Sequence, residues 1–194
     1  MNKEKFVNAI AQSINLSKED TVILSYGLKK IALLIEDAVF TIAVGWFLGI
    51  TALSIVFQIS FMLLRMYGGG YHSETELKCK VHSAIVTVAS LLCIRVLADK
   101  SWWSFLLFIL ASIAVMMLSP VEAKNKPLSE KERKINHRKT IYIAIMLNIF
   151  VAISWVYHLR YFYAIAVAVY AACILMVMGI ISGKKEIIKR ERKR

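Results

Sequence analysis

Cysteine and acidic residues are scarce in this chain of 194 residues, which has three cysteines and 13 aspartates and glutamates. A small and odd number of cysteines argues against a disulfide framework. The 25 lysines and arginines leave a formal net charge of +12. A basic nucleic-acid-binding module would also need a soluble core, but 58% of this chain is hydrophobic and its mean hydropathy is +0.60. The composition therefore predicts a multi-spanning membrane protein with basic loops and no nucleic-acid partner.

The start of the chain lacks a continuous apolar run, so we predict no cleavable signal peptide. Instead, Phe6, Val7, Ile10 and Ile14 recur at helical spacing beside basic residues. This pattern predicts an amphipathic helix over residues 3–15 that lies on the inner membrane leaflet. A short helix packed against other cytoplasmic loops is an equally good interpretation.

Long apolar segments make up most of the remaining chain. A transmembrane helix needs about 20 residues to cross the hydrocarbon core. Six candidate segments occur, at residues 31–50, 51–66, 81–98, 102–121, 140–157 and 161–182. The second is short and follows the first without a polar linker, so it is either the return of a hairpin or a re-entrant piece. We predict an all-α polytopic membrane helix bundle with about six hydrophobic segments.

The positions of the basic residues predict the orientation of this bundle. If the N-terminus is cytoplasmic and six spans alternate, the inside regions hold 22 of the 25 lysines and arginines, as the positive-inside rule expects. Those inside regions are residues 1–30, 65–80, 122–139 and 184–194. Both termini are therefore predicted to be cytoplasmic.

We predict one integral-membrane domain, residues 1–194. It would have an amphipathic cytoplasmic region at residues 1–26, a membrane bundle at 31–182 and a basic cytoplasmic tail at 183–194. The tail is a basic run beside a span, and it is expected to rest on anionic lipid.

A polar, glycine-rich break lies between the second and third hydrophobic segments. It runs from Arg65 to Cys79 as Arg-Met-Tyr-Gly-Gly-Gly-Tyr-His-Ser-Glu-Thr-Glu-Leu-Lys-Cys. A thiol and an imidazole are the minimum pair for covalent acyl transfer, and the break supplies both in Cys79 and His72. Its glycines, including Gly69 and Gly70, allow backbone conformations that are closed to other residues. No Gly-Lys-Ser/Thr follows them, which excludes a phosphate-binding loop.

Local pattern also predicts how the two reactive residues are arranged. Ser73 and Glu76 match a capping box, so the third helix is predicted to begin near Glu74, with Cys79 about two turns inside it. On one straight helix, His72 and Cys79 would lie about 10 Å apart along the axis. We therefore expect His72 to lie off the helix, in a loop that folds back toward the thiol.

Several supporting residues are expected around this pair. Glu74 or Glu76 would orient the imidazole, although each is equally typical of an exposed surface charge. Arg65, Gly69, Gly70 and Ser83 complete the supporting group.

Other interpretations of these residues remain open. A cysteine near a membrane boundary is also typical of a structural thiol or a palmitoylation site. Cys79, His82 and His72 offer three metal ligands, but zinc sites use four, or three and a water molecule; we predict no metal and no cofactor. Cys93 and Cys173 are interpreted as packing residues of the hydrophobic segments, and His137 as solvated.

A transport function is the main alternative to acyl transfer. Glu36 and Asp37 lie within the first hydrophobic segment, and acidic residues inside a membrane are functional candidates. A small transporter or channel would use them, whereas a structural role would pair them with Arg65. A third interpretation is a non-enzymatic membrane partner of a regulator.

Two motifs carry a resemblance to a known family. The pattern Arg65-x4-Gly70-x-His72-x6-Cys79 resembles the signature of the accessory gene regulator protein B family, which are integral-membrane cysteine endopeptidases of Gram-positive bacteria. The later segment Ser119-Pro120-x4-Asn125-Lys126-Pro127-Leu128 resembles the Asn-Lys-Pro segment of that family. One departure is Ser73, because alanine is expected after the histidine in many relatives.

The resemblance implies a function in quorum sensing at the bacterial cell membrane. The substrate would be an autoinducing-peptide precursor, anchored at the inner leaflet by an amphipathic helix. Cys79 would attack the peptide bond at the end of the future signal, with His72 as base, and a thioester would form. A cysteine or serine of the peptide would then attack the thioester and close a thiolactone or lactone.

The same resemblance implies a homodimer, and the orientation predicted from the basic residues places the catalytic loop on the cytoplasmic side. Arg65 would contact an acidic substrate or shape the loop, and Gly70 would serve the geometry of the backbone. Further substrate contacts are expected at Glu36, Asp37, Pro120, Asn125, Lys126 and Pro127.

Overall fold

The structure, a computed structural model, describes residues 16–71, 75–96, 102–122 and 128–191. Within these residues the chain forms six α-helices and no strand. They are α1 (Lys18–Phe47), α2 (Thr51–Gly68), α3 (Glu76–Val96), α4 (Trp102–Leu118), α5 (Glu130–Val156) and α6 (Tyr161–Glu191). The prediction of an all-α fold is confirmed. The amphipathic helix predicted for residues 3–15 lies outside the described residues.

Four of the helices are long and apolar enough to cross a membrane. They are Thr51–Gly68, Leu77–Val96, Glu130–Val156 and Tyr161–Gly183. The apolar helix α4 is shorter, at 17 residues, and α1 carries the charged Lys29, Lys30, Glu36 and Asp37. Four helices therefore have the length and hydropathy needed to cross a membrane, whereas the sequence predicted about six hydrophobic segments.

The second hydrophobic segment is one continuous helix. α2 has 18 residues and so spans about 27 Å at 1.5 Å per residue, close to the thickness of about 30 Å of a hydrocarbon core. This length favours the return of a hairpin over a re-entrant piece.

Several helix boundaries differ from those predicted from hydrophobicity. α5 begins at Glu130, well before residue 140, because Ser129 and Glu132 form a capping box: Ser129 N donates to Glu132 Oε2 over 2.9 Å, and Glu132 N donates to Ser129 Oγ over 3.3 Å. α6 continues to Glu191 through most of the basic tail predicted at 183–194. Hydrophobicity alone misses polar helical turns that precede or follow an apolar span.

The chain divides into two compact units, Met1–Phe40 and Thr41–Arg194. One domain over residues 1–194 stays a prediction. Within the second unit, α6 packs against α2, α3, α4 and α5. The helix is able to contact so many neighbours because its packed faces are rich in small residues, which let helix backbones approach closely. The buried alanines are Ala164, Ala166, Ala168, Ala171 and Ala172.

Aromatic rings surround the N-terminal end of α6. Phe162 is fully buried, and its ring lies 5.1 Å from the ring of Trp155 and 6.4 Å from the ring of Phe108. Edge-to-face arrangements of this kind are favourable for aromatic pairs. They fix α4 and α5 against the N-terminal end of α6, and the glycine-rich segment contacts the same helix near its middle, at Leu175.

Leucine in place of Ala168 should destabilise the protein. This alanine is fully buried on α6, and inserting extra methyl groups into a packed core costs about 1–3 kcal/mol. Melting temperature in detergent measures the effect. The matched change Ala52→Leu, at an exposed position of α2, should leave the melting temperature almost unchanged. Equal melting temperatures for the wild type and Ala168→Leu would contradict the packing described for α6.

Candidate functional site

The candidate site is built on the glycine-rich loop that leaves the end of α2. Gly69 and Gly70 have φ angles of +71° and +124°. These values lie in the left-handed region, which glycine adopts without the steric cost that a Cβ imposes. The loop therefore turns sharply as soon as α2 ends at Gly68.

Arg65, in the last turn of α2, holds this turn in place. Its Nη1 donates to the carbonyl oxygen of Gly69 over 2.8 Å, and its Nη2 donates to that of Tyr71 over 3.1 Å. The planar guanidinium suits two such contacts because its donors form a rigid fork. A Cβ on Gly70 would collide with Nη1 of Arg65. Of the two roles proposed for Arg65, these contacts belong to loop shaping.

The linker between α4 and α5 supplies a second support for the loop. Val121 N donates to the carbonyl oxygen of Gly68 over 2.9 Å, and Gly70 N donates to that of Val121 over 3.4 Å. Together they make an isolated parallel bridge between Gly69 and Val121. Pro120, predicted as a substrate contact, is buried beside this bridge.

His137 holds the same linker from α5. Its Nδ1 donates to the carbonyl oxygen of Ser119 over 2.8 Å, and its side chain is partly buried. The interpretation of His137 as solvated is therefore wrong, because the third turn of α5 lies against the linker. The contact places a side chain of α5 two residues from Val121, which itself supports the glycine loop.

The third support comes from α6. Tyr71 N donates to the carbonyl oxygen of Leu175 over 2.8 Å. One turn later on α6 stands Gly179, where a Cβ would lie 2.9 Å from Tyr71 N and 3.0 Å from the carbonyl carbon of Gly70. Only the missing side chain of Gly179 lets the loop backbone approach the helix so closely.

The helix that carries Cys79 begins later than the sequence predicted. α3 starts at Glu76, and Thr75 precedes it: Lys78 N donates to Thr75 Oγ1 over 3.4 Å, and Cys79 N donates to the carbonyl oxygen of Thr75 over 3.0 Å. The predicted start near Glu74, with Cys79 two turns inside, is therefore wrong. Thr75 takes the capping position, so Cys79 belongs to the first turn of α3.

The thiol of Cys79 is free and half-buried. One turn further along α3, the ring of His82 lies 5.3 Å from the ring of Tyr71, tilted by 44°. This contact joins the glycine loop to the helix that carries the thiol. Ser83 follows His82 and is partly buried. The other thiol of α3, Cys93, is exposed, so its interpretation as a packing residue is wrong.

The contacts described above do not test the remaining predicted residues. Glu76 is the first residue of α3, and Glu36 and Asp37 lie on α1 within the unit Met1–Phe40. Their pairing with Arg65 stays a prediction. Five predicted residues fall outside the described residues, namely His72, Glu74, Asn125, Lys126 and Pro127.

Five residues of this site were missed by sequence reasoning: Tyr71, Val121, His137, Leu175 and Gly179. Gly179 alone left a usable signal, because an isolated glycine inside a helical pattern often marks a close approach of another backbone. Val121 and Leu175 act through main-chain atoms, which any residue type provides. Their partners are distant in sequence, so no local pattern marks them.

This arrangement offers the elements of nucleophilic chemistry. A half-buried thiol lies in the first turn of a helix, where a negative charge is favoured by the helix dipole. Tyr71 is the last residue of the loop that the structure describes before α3, and His72 follows it in the chain. Within the parts of the chain that the structure describes, no three histidine, cysteine or acidic side chains form a group able to hold a metal ion.

Comparison with known proteins adds to this picture. The family model described as Accessory gene regulator B matches residues 3–178. A putative AgrB-like protein of Clostridium perfringens is 24% identical over 153 residues, which cover 70% of each chain. The accessory gene regulator protein B of Staphylococcus intermedius is 26% identical over 145 residues, covering 74% of this chain and 77% of the relative. No solved structure matches the chain.

Alanine in place of Gly179 should destabilise the junction between the loop and α6. The new Cβ would lie 2.9 Å from a backbone nitrogen, and relieving such a contact costs about 1–3 kcal/mol. The matched change Gly183→Ala, which meets nothing within 4 Å, should raise stability by up to about 1 kcal/mol through helix propensity. Melting temperatures of the two variants in detergent should therefore move in opposite directions. An increase for Gly179→Ala would contradict the close approach.

Proposed function

This chain belongs to the accessory gene regulator B family, and from that premise we propose that it is a membrane cysteine endopeptidase that processes a quorum-sensing propeptide. The observation that carries the proposal is the contact between the rings of Tyr71 and His82. It brings the end of the glycine loop, whose next residue is His72, against the first turns of the helix that carries Cys79. This contact supports the proposal that His72 acts as the base for the Cys79 thiol.

In the proposed reaction, His72 accepts the proton of the Cys79 thiol, and the sulfur attacks the carbonyl carbon of the scissile peptide bond. The C–N bond breaks, and His72 returns the proton to the leaving amine, which departs with the C-terminal tail. The first part of the propeptide remains on Sγ as a thioester. A thiol or hydroxyl within this peptide then attacks the thioester, closes the ring and frees Cys79.

The first turn of α3 suits the charge that develops in this reaction. The first N–H groups of an α-helix have no partner within the helix. Donors of this kind can stabilise the oxyanion formed when the thiolate attacks, and removing one such donor in other enzymes costs about 100- to 1000-fold in rate. Cys79 lies in the same turn as these groups.

The thioester also has an energetic consequence. Forming a thioester from an amide is uphill, whereas transfer from one thiol to another is close to neutral. Removal of the released tail or of the cyclic product would therefore draw the reaction forward. A site at the membrane edge also excludes the water that would hydrolyse the thioester.

The charge of α5 fits the proposed substrate. The first three turns of α5 are polar and carry five exposed basic side chains, namely Lys131, Arg133, Lys134, Arg138 and Lys139. Such a surface attracts an acidic segment such as the tail of a propeptide. The linker that supports the glycine loop leads directly into these turns. A propeptide at the inner leaflet, anionic lipid and a second copy of the chain are the proposed partners, and the site is proposed to face the cytoplasm.

The decisive test is co-expression of the protein with its candidate propeptide, followed by mass spectrometry of the peptide. Cys79→Ala and His72→Ala should each lower cleavage at least about a thousandfold, because nucleophile and base act as one unit. The wild type should also carry a peptide fragment bound to Cys79. Cys93→Ala, which alters an exposed thiol of the same helix, is the matched control and should cleave normally. Cleavage that persists in Cys79→Ala would rule out the endopeptidase and redirect attention to transport through Glu36 and Asp37.

Arg65→Lys should lower the cleavage rate by about 10- to 100-fold. Lysine keeps the charge but, as a point charge, cannot bridge the carbonyl oxygens of Gly69 and Tyr71 as the guanidinium does. A shift of about 1 Å in the loop is enough to cost about 100-fold in rate. Initial rates in membranes measure the effect, and Arg95→Lys, at an exposed position near the end of α3, should match the wild type. A normal rate for Arg65→Lys would show that the fork of hydrogen bonds is dispensable.

A further inference from the structure

Tyr71 is held at three points by three different helices. Its N–H donates to the carbonyl oxygen of Leu175 on α6 over 2.8 Å. Its carbonyl oxygen accepts from Nη2 of Arg65 on α2 over 3.1 Å. Its ring packs against the ring of His82 on α3, with 5.3 Å between the ring centres. The two backbone contacts fix Tyr71 relative to α2 and α6, and the ring contact links Tyr71 to α3 as well.

The position of His82 makes this ring contact relevant to the thiol. Cys79 and His82 are three residues apart on α3. Residues at this spacing are neighbours on the same helix face, with Cβ atoms about 5–6 Å apart. Tyr71 thus meets α3 one turn from the nucleophile, and Tyr71 is itself joined by one peptide bond to His72.

We propose that Tyr71 and His82 are positioning residues, and that their ring contact sets how the glycine loop at Tyr71 is held against the turn of α3 that carries the Cys79 thiol. This inference rests on the proposed endopeptidase function. His72 is the residue after Tyr71 in the chain, and Cys79 lies one helical turn before His82. A change in how the two rings pack would therefore shift the glycine loop at Tyr71 relative to the turn of α3 that carries Cys79.

The role assigned to His82 is one of shape. Its ring lies against that of Tyr71 at a tilt of 44°, and a flat aromatic ring without nitrogen would make a similar contact. Aromatic pairs contribute beyond the area that they bury, through offset or tilted contacts at centroid distances of about 4.5–7 Å. The competing role for His82 is that of a second base for Cys79, which requires a ring nitrogen. Substitution by phenylalanine separates the two roles.

A double-mutant cycle tests the contact directly. The rate of thioester formation on Cys79 is measured for the full chain in membranes with the propeptide, under single turnover with enzyme in excess. Tyr71→Ala and His82→Ala should each slow this step about 10-fold, and the double variant should be no slower than about 20-fold, because both changes remove the same contact. His82→Phe and Tyr71→Phe should recover most of the rate.

The rate constant under these conditions distinguishes positioning from folding. A misfolded fraction lowers the amplitude of the thioester signal, whereas poor positioning lowers the rate constant of the molecules that react. Val81→Ala, at an exposed position of α3 next to His82, is the matched control and should keep the wild-type rate constant.

Two results would overturn the inference. His82→Phe reacting as slowly as His82→Ala would show that the imidazole nitrogens matter and the ring face does not. A double variant about 100-fold slower, the product of the two single effects, would show that Tyr71 and His82 act independently. Cys79→Ala is run in parallel to test the proposed function separately. If this variant still cleaves the propeptide, cleavage does not proceed through a thioester on Cys79, and the endopeptidase proposal itself is wrong.

Discussion

The close approach of the glycine loop to α6 is the constraint on which the candidate site depends. The N–H of Tyr71 reaches the carbonyl oxygen of Leu175 only because Gly179 has no side chain. Without that approach, the loop would stand away from α6, the helix that packs against α2, α3, α4 and α5. Arg65 and Val121 then close the loop from its other sides. The shape of the site is thus set mainly by main-chain hydrogen bonds, and its side chains extend from this hydrogen-bonded backbone.

A membrane setting explains why so much of this frame is main chain. Backbone N–H and C=O groups away from water must find partners within the protein, and non-helical segments at membrane depth occur only where protein or a water-filled cavity surrounds them. The residues from Gly68 to Tyr71 meet this requirement with bonds to Arg65, Val121 and Leu175. A loop so thoroughly paired has few alternative conformations, which suits the positioning role proposed for it.

Sequence patterns predicted the parts of this protein that local physics determines. Apolar runs gave the helices and the all-α class, and the spacing of Arg65, Gly70, His72 and Cys79 gave the family. Local reasoning failed at the start of α3, where it did not identify Thr75 as the residue whose side chain accepts from the first turn. It also failed where an apolar span extends into polar turns, as at the start of α5. The partners of the loop on α5 and α6 could not be predicted, because hydrogen bonds between residues far apart in sequence follow from the packing of whole helices.

The length of α6 has a consequence for the C-terminal end of this helix. A helix of 31 residues is about 46 Å long, about 16 Å more than a hydrocarbon core of about 30 Å. If the N-terminal end of α6 lies level with one surface of the hydrocarbon core, its last basic turns lie at the depth of the lipid headgroups on the other side or beyond them. These turns belong to the same helix that supports the glycine loop. A fluorescent or affinity label joined to these turns would therefore report the tilt of α6 itself, where a label on a flexible tether would report only its own motion.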